Sequence, residues 1–283
     1  MNQALLEVKD LVAGFGATTV LHGLSYDVGY SEIAGIFGLN GAGKSVSMKV
    51  LAGIVPARSG QILFDGLDIT RMSAEERVAK GMAHVPQGRN VFANLTVEQN
   101  LRLGAYTLRR RAPRKYQGVL DGVYDRFPLL RERRTQIAGT MSGGQQASLA
   151  VGRALMAEPL LMLVDEPSAG LAPLVVQELF ETLRGVAADG VTMVLVEQNV
   201  SFGLQLAHTA HILQTGRIVH SGPVSELDQA EVASYLGVGR LLTAGVAGSL
   251  DARRPDDPDE PDGAVAEVVP AKKPRSRRVK AVT

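Results

Sequence analysis

Gly38-Leu39-Asn40-Gly41-Ala42-Gly43-Lys44-Ser45 fits the pattern G-x-x-x-x-G-K-[ST]. Its flanks give the pattern a physical setting. Ile33–Phe37 before it is a continuous apolar run, as in a parallel strand covered on both faces. A helical stretch follows from Val46. A strand that turns through glycines into a helix aims backbone N–H groups inward and points the positive helix terminus at the same spot. That arrangement cradles a phosphate chain. Gly38, Leu39, Asn40, Gly41, Ala42, Gly43, Lys44, Ser45 and Val46 are expected to line it. Lys44 adds a full charge for the β- and γ-phosphates, and Ser45 offers a hydroxyl to Mg²⁺.

Working outward, the second half of a nucleotide site lies at Asp165-Glu166. Leu160–Val164 is another continuous apolar run. A buried strand ending in Asp places a carboxylate at the C-terminal edge of the sheet, where such sheets bind ligands. Asp165 is expected in the Mg²⁺ shell, with Glu166 as the general base that polarises an attacking water. Alone, the run reads equally as a strand ending at solvent. Paired with the phosphate loop, it reads as part of a nucleotide-hydrolysing site.

The residues from about 5 to 236 alternate apolar runs with amphipathic stretches, an α/β pattern. Leu24, Tyr26 and Val28 alternate with polar residues, as in a half-buried strand, and Val191–Val196 is a third buried run. Gln61–Phe64, Asp65-Gly66 and Leu67–Ile69 read as a hairpin, because Asp-Gly suits a two-residue turn. Ser73 with Glu76 and Thr96 with Gln99 match the capping box. Pro173–Ala188 carries Val176, Leu179, Phe180, Leu183 and Val186 on one helical face, with Gly190 as a stop. Leu101–Gly139 lacks strand runs and reads as a helical insert, with Arg109-Arg110-Arg111 as a solvated face. His208 and His211 have no cysteine or acidic neighbour in sequence and read as structural.

Beyond Val246 the character changes. Six acidic residues face two arginines from 251 to 262, and six basic residues fall between Lys272 and Lys280. Five of the 13 prolines lie here. Residues 247–283 are expected to form a disordered charged tail, either a plain solvated extension or one whose basic end touches anionic lipid or nucleic acid. The chain as a whole is nearly neutral, with Lys+Arg 30 against Asp+Glu 29, so its bulk charge selects no partner. With no Cys, disulfides, thiolate metal sites and cysteine catalysis are excluded. No apolar run approaches the ~18 residues of a membrane span, and MNQALLEVKD does not read as a signal peptide. The expectation is a cytoplasmic chain whose membrane role comes through partners.

One motif remains between the two halves of the site, Met141-Ser142-Gly143-Gly144-Gln145. Ser142 can cap a helix, Gln145 holds the reciprocal capping position, and the glycines leave backbone N–H groups open to an anion. In isolation it reads as a Gly-rich capped helix start. Its place decides more, since Ser142 follows Ser45 by 97 residues and precedes Asp165 by 23. That order and spacing resemble the ATP-binding cassette (ABC) ATPases, whose signature is usually L-S-G-G-Q. Met141 stands where Leu is usual.

The resemblance covers about residues 4–236 and implies a fold: an α/β P-loop NTPase cassette, with a RecA-like core, an antiparallel β subdomain and a helical subdomain. It assigns 4–240 to the nucleotide-binding domain and about 95–158 to the helical subdomain. It also implies roles for residues that match the family's motifs. Gln87 looks like the glutamine that joins the Mg²⁺ shell and faces the membrane partner. Phe15 sits where the family stacks an aromatic on adenine, or else is a core residue at a strand end. Ser168-Ala169-Gly170-Leu171 stands at the D-loop. Ser142, Gly143, Gly144 and Gln145 would act on the ATP held by a partner cassette. Gln198 occupies the place of the usual switch His, and an amide can donate a hydrogen bond to the γ-phosphate but cannot take up a proton.

Val196-Glu197-Gln198-Asn199, with Asp165–Pro173 and Gly88–Leu101, is similar to the LivF-type ATPases of branched-chain amino-acid importers. Val85-Pro86-Gln87-Gly88-Arg89 also resembles the ATPases of urea and amide importers, whereas LivF proteins often have Glu at the Gln87 position. The subfamily implies ATP and Mg²⁺, a second, non-identical ATPase subunit, two membrane permeases and, indirectly, an extracytoplasmic solute-binding protein. No nucleic acid is expected. A soluble ABC ATPase acting on DNA is disfavoured because 97 residues leave no room for a long coiled coil. One acting on ribosomes is disfavoured because such relatives usually carry two cassettes.

Overall fold

The computed structural model describes residues 4–88, 90–227 and 234–235. In chain order its strands are β1 (Ala4–Phe15), β2 (Thr18–Gly29), β3 (Ile33–Phe37), β4 (Ser59–Phe64), β5 (Leu67–Asp68), β6 (Met82–Val85), β7 (Leu161–Asp165), β8 (Thr192–Val196), β9 (Thr209–Gln214) and β10 (Arg217–Pro223). The helices are α1 (Lys44–Leu51), α2 (Ala74–Ala79), α3 (Val97–Gly104), α4 (Tyr106–Arg111), α5 (Tyr116–Arg126), α6 (Pro128–Glu132), α7 (Gly143–Leu155), α8 (Pro173–Ala188) and α9 (Val200–Leu206).

The strands form two sheets. One is antiparallel, in the order β2-β1-β4-β5. The other runs β10-β9-β3-β8-β7-β6, with β9 through β6 parallel and β10 antiparallel at the edge. The three apolar runs read from sequence are the central strands of this second sheet. Their side chains divide between two cores. Leu161, Leu163, Val194 and Val196 join Met48 and Leu51 of α1 and the apolar residues of the antiparallel sheet. Met162, Val164, Met193 and Leu195 join α7, α8 and the helical segment between β6 and β7. With both faces covered, a polar position on these strands loses hydration, so the runs are nearly all apolar rather than alternating, and the buried Thr192 hydroxyl is bonded to the Ser31 amide and the Gly29 carbonyl.

The helical segment lies between β6 and β7, and its longest apolar faces all turn to one core: Leu101 and Leu108, then Leu120 and Val123, then Leu149 and Val151. On α8 the stripe of Val176, Leu179, Phe180, Leu183 and Val186 is buried in the same core. Burial of each such side chain contributes about 1.5–3 kcal/mol. The hairpin at Asp65-Gly66 is present, with both residues at positive φ, 50° and 72°, as a tight primed turn requires. The seventh strand differs by one residue from the run that announced it. Leu160 is half exposed and its amide turns to the Gly81 carbonyl, while Asp165 closes the strand opposite Val196. The charged tail expected at 247–283 lies outside the described residues.

Candidate functional site

The phosphate loop joins β3 to α1. At Gly38 a Cβ would stand 2.2 Å from the Leu213 carbonyl oxygen, so only glycine allows the loop to pass β9 this closely. At Gly43 φ is 111°, the left-handed turn from which α1 starts. Lys44 and Ser45 are thus in the first helical turn, and Ser47 is the residue whose N–H closes on the Gly43 carbonyl, at 2.9 Å. First-turn amides have no partner inside a helix and face the loop's mouth. The Lys44 Nζ lies over that mouth, donating to the Gly38 and Leu39 carbonyls at 2.7 and 3.1 Å. Burial lowers its pKa, while the charges of Glu166 and Asp165 oppose the shift. From the other side, Gly216 in the β9–β10 turn donates to the Ala42 carbonyl and accepts from His22 of β2, locking the antiparallel sheet to the loop. Leu39, Asn40 and Gly41 are exposed, and Val46 packs partly into the core.

Asp165 ends β7 beside this mouth. Its carboxylate is buried, and burial raises its pKa to about 6, with the Glu166 charge adding to the shift and Lys49, Ser45 and Lys44 opposing it. Its Oδ1 has no hydrogen-bond partner. A buried, unpartnered carboxylate oxygen next to a serine hydroxyl is a donor set for a hard divalent cation. The neighbouring lysines leave the site without net negative excess, so such a cation would be shared with a phosphate rather than caged by protein alone.

Glu166 follows at a positive φ of 47°, strained for a non-glycine residue, with its amide held by the Val196 carbonyl at 2.8 Å. Three segments far apart in sequence meet on its carboxylate. Gln87 Nε2 donates to Oε2 at 2.6 Å, and Gln198 Nε2 reaches both oxygens at 3.0 Å. Glu166 is buried while both glutamines are exposed, so the carboxylate is capped by two amides at the surface of the site. The Gln87 loop is itself fastened. Asn90 donates to the Gln87 carbonyl, Arg153 of α7 donates to the Asn90 carbonyl at 2.9 Å, and its guanidinium covers the Phe92 ring.

Phe15 sits at the tip of the β1–β2 hairpin with half of its surface exposed, which removes the core reading. Arg58 braces that tip, donating to Thr19 Oγ1 and to the Gly16 and Thr18 carbonyls. Ser142 caps α7 and forms the full box with Gln145. Gly144 lies against α8, where a Cβ would come within 2.3 Å of Val175. Among the described residues no hydrogen bond joins Ser142–Gln145 to the phosphate loop or to Glu166. The structure therefore brings together the loop, Asp165, Glu166, Gln87 and Gln198. His208 accepts from the Ile33 amide through Nδ1, and His211 bonds Ser221, both structural roles.

Sequence reading passed over three residues of this neighbourhood. Glu197 is buried beneath the site, Arg153 holds the Gln87 loop, and Asn100, fully buried, bonds Phe92 and the carbonyls of Leu95 and Thr96. Glu197 did carry a signal, because like Asp165 it is an acid that directly follows four consecutive apolar strand residues.

A phosphate loop on a parallel sheet, a strand-end Asp-Glu pair, and a capped Ser-Gly-Gly-Gln helix define an ATP-hydrolysing cassette. Residues 21–169 match the family described as ABC transporter, and the chain belongs to that family, as one of its ATP-binding ATPase subunits. It is 44% identical to the high-affinity branched-chain amino acid transport ATP-binding protein BraG of Pseudomonas aeruginosa, over 79% of this chain and 95% of that protein. It is 35% identical to a probable branched-chain amino acid transport ATP-binding protein LivF of Archaeoglobus fulgidus, over 83% and 99%. A nucleotide-free ATP-binding cassette from an ABC transporter superposes with a TM-score of 0.72 at 26% identity, covering 83% of this chain and 96% of that one. An ABC transporter cassette in its ADP conformation gives 0.71 at 25% identity, over 82% and 99%. Subunits of this class bind ATP and work with membrane permeases. No helix among the described residues is long and apolar enough to cross a membrane.

Proposed function

We propose that this chain is the ATPase that powers an importer of branched-chain amino acids, with residues 4–240 as its catalytic domain and 95–158 as the helical subdomain. The observation that carries the chemistry is the buried Glu166 carboxylate, held by two amides next to the phosphate loop. Lys44 and the amides of Gly41 through Val46 bind the phosphates, and Phe15 offers an exposed ring to adenine. Ser45, Asp165 and Gln87 would hold Mg²⁺, which supplies charge neutralisation at the β- and γ-phosphates. Glu166 accepts the proton of the attacking water. Gln198, unable to accept a proton, orients Glu166 and donates to the γ-phosphate, so the proton has one acceptor rather than two.

Ser142, Gly143, Gly144 and Gln145 are the part of the site this chain lends to a second cassette. That Ser142–Gln145 make no hydrogen bond to the loop among the described residues supports a site divided between subunits. We place the pair at the cytoplasmic face of the membrane on two permeases, with a solute-binding protein outside, and with the partner cassette carrying His at the place of Gln198. The groove lined by Leu95, Leu103, Tyr106 and Pro113, rimmed by Arg102 and Arg109, offers an apolar seat for a permease segment. Leu103 and Tyr106 are 46% and 64% exposed there. The cargo assignment rests on the relatives named above. Gln87, at a position where LivF proteins often have Glu, favours as second reading the urea and amide importers.

The test is ATP hydrolysis by this chain alone, by the partner cassette alone, and by both with their permeases in liposomes, with binding protein loaded with leucine or with urea. Turnover is expected to be low for either cassette alone and to rise with leucine in the full assembly. Full activity from this chain alone, independent of its concentration, refutes the divided site. Stimulation by urea and not by leucine moves the cargo to the second reading.

A further inference from the structure

Glu197 is 1% exposed, and none of its described hydrogen bonds goes to the phosphate loop or the proposed cation site. Its carboxylate gathers four donors. Oε1 accepts from the Ser168 amide at 3.0 Å. Oε2 accepts from the Ser168 hydroxyl at 2.7 Å, the Gln198 amide at 3.1 Å and the Asn199 amide at 3.4 Å. The side chain is pressed from behind by α9, where a Cβ on Gly203 would lie 3.3 Å from that of Glu197. A carboxylate so placed costs several kcal/mol to bury unless its lone pairs are filled, and here both oxygens are. Each donor comes from one of two loops. One is the turn after Glu166, in which Ala169 donates to the Glu166 carbonyl and Leu171 to the Ser168 carbonyl. The other is the loop after β8 that carries Gln198.

These bonds close a ring. Glu166 leads by two residues to Ser168, Ser168 bonds Glu197, Glu197 is followed by Gln198, and the Gln198 amide returns to both oxygens of Glu166. Gln198 is exposed and nothing else described fixes its backbone amide, so its reach to Glu166 depends on the carboxylate beneath it. We propose that Glu197 is a positioning residue for hydrolysis: it binds the 168–171 turn and the Gln198 backbone to one buried carboxylate, and so sets the amide of Gln198 against Glu166. The proposal rests on the reading of Glu166 as the base. A neutral glutamine at 197 has the same shape but only one accepting oxygen, so one of the two loops must then face an NH₂ group and shift.

The experiment is steady-state hydrolysis in the full assembly of both cassettes and permeases, for wild type, Glu197→Gln, Gln198→Ala, the double variant, and Glu166→Gln as reference. Because a displacement of ~1 Å near the chemistry can cost up to ~100-fold, Glu197→Gln is expected to lower kcat about tenfold while the ATP KM stays within about twofold. In the Gln198→Ala background the same change is expected to cost less than about twofold, since the group it positions is gone. A merely structural role would instead give the same loss in both backgrounds. That result, an unchanged kcat, or a rise in KM at constant kcat overturns the proposal. If Glu197→Gln does not fold, Ser168→Ala removes a single donor from the same carboxylate. It is expected to cost about threefold in kcat, again lost in the Gln198→Ala background, and equal losses in both backgrounds overturn the proposal. Abolished turnover in Glu166→Gln with equal losses in the cycle defeats the positioning role alone. Wild-type turnover in Glu166→Gln defeats the base assignment and the positioning role with it.

Discussion

Glu166 is held in a conformation that a non-glycine residue adopts at a cost of about 1–3 kcal/mol. Strand pairing to Val196 on one side and the Ala169 turn on the other keep it there. In that conformation its carboxylate meets the amides of Gln87 and Gln198. Replacing it with Gln keeps size but removes the proton acceptor and leaves one accepting oxygen for the Gln87 and Gln198 amides. Glu166→Gln is therefore expected to bind ATP within a few-fold of wild type and to lose about 10²–10⁴-fold in turnover, measured by phosphate release in the assembled transporter. Near-normal turnover would remove Glu166 from the role of base. Lys44 does different work, because its ammonium is buried against loop carbonyls and meets the substrate's charge. Lys44→Ala should weaken ATP binding by about 1.5–3 kcal/mol, read by titration at moderate salt, and an unchanged dissociation constant would contradict its assignment. Lys44, Asp165 and Glu166 were legible because each sits inside a short motif. The roles of Glu197 and Arg153 were not, because the partners that define them, Ser168 and Asn90, lie 29 and 63 residues away.

At the scale of elements, the capping boxes of α2, α3 and α7 were readable from a four-residue pattern and all three are formed in full. The reason is that cap and acceptor lie within one turn, so local geometry satisfies them whatever the helix packs on. The segment between Gln87 and α3 is another matter. Residues 90–95 form no helix or strand, and Asn100 substitutes for one, donating to the carbonyls of Phe92, Leu95 and Thr96 and accepting from the Phe92 amide. Asn100→Ala should strip the Phe92 amide of its acceptor and the Phe92 and Thr96 carbonyls of a side-chain donor, while the Phe92 carbonyl keeps the Leu95 amide. The expected loss is about 1–3 kcal/mol in denaturant unfolding, together with slower hydrolysis as the Gln87 loop loosens. A stability change below the error of the measurement would show that water replaces the side chain. Nothing in the sequence marked Asn100, because its partners Phe92 and Leu95 lie outside the helix that carries it.

Across the whole molecule, the two cores leave some polar groups buried in the sheet. His84 and His211 each keep a buried Nε2 without a partner, and burial lowers both pKa values to about 4. Such a histidine is neutral when folded and protonates in the unfolded chain below about pH 6.5. The unfolded state then binds more protons, so its contribution is a loss of stability as pH falls from about 6.5 toward 4. Asp165, raised to about 6, acts in the opposite sense over part of that range, so the informative quantity is a difference between variants. His84→Leu should be close to neutral in melting temperature at pH 7.5 and increasingly stabilising relative to wild type toward pH 5. A pH-independent difference would mean that His84 stays uncharged in both states or charged in both.

The sequence by itself determined what short contiguous stretches can specify: the strand, glycine turn and helix of the phosphate loop, the Asp-Gly hairpin, the capped helices, and the buried central strands. Each is set by backbone sterics, local hydrogen bonds or hydrophobic periodicity within about twenty residues. The fold class followed from their order. Only the tertiary structure decided which side chains share a site. The parallel sheet places β3, β8, β7 and β6 side by side, an order unlike their order in the chain. That order is what sets Gln87, Glu166 and Gln198 at one carboxylate, leaves Asp165 with a free buried oxygen, and ties Ser168 to Glu197. Strand order is chosen by how the two apolar faces of the whole sheet are covered, a sum over both cores that no local pattern contains.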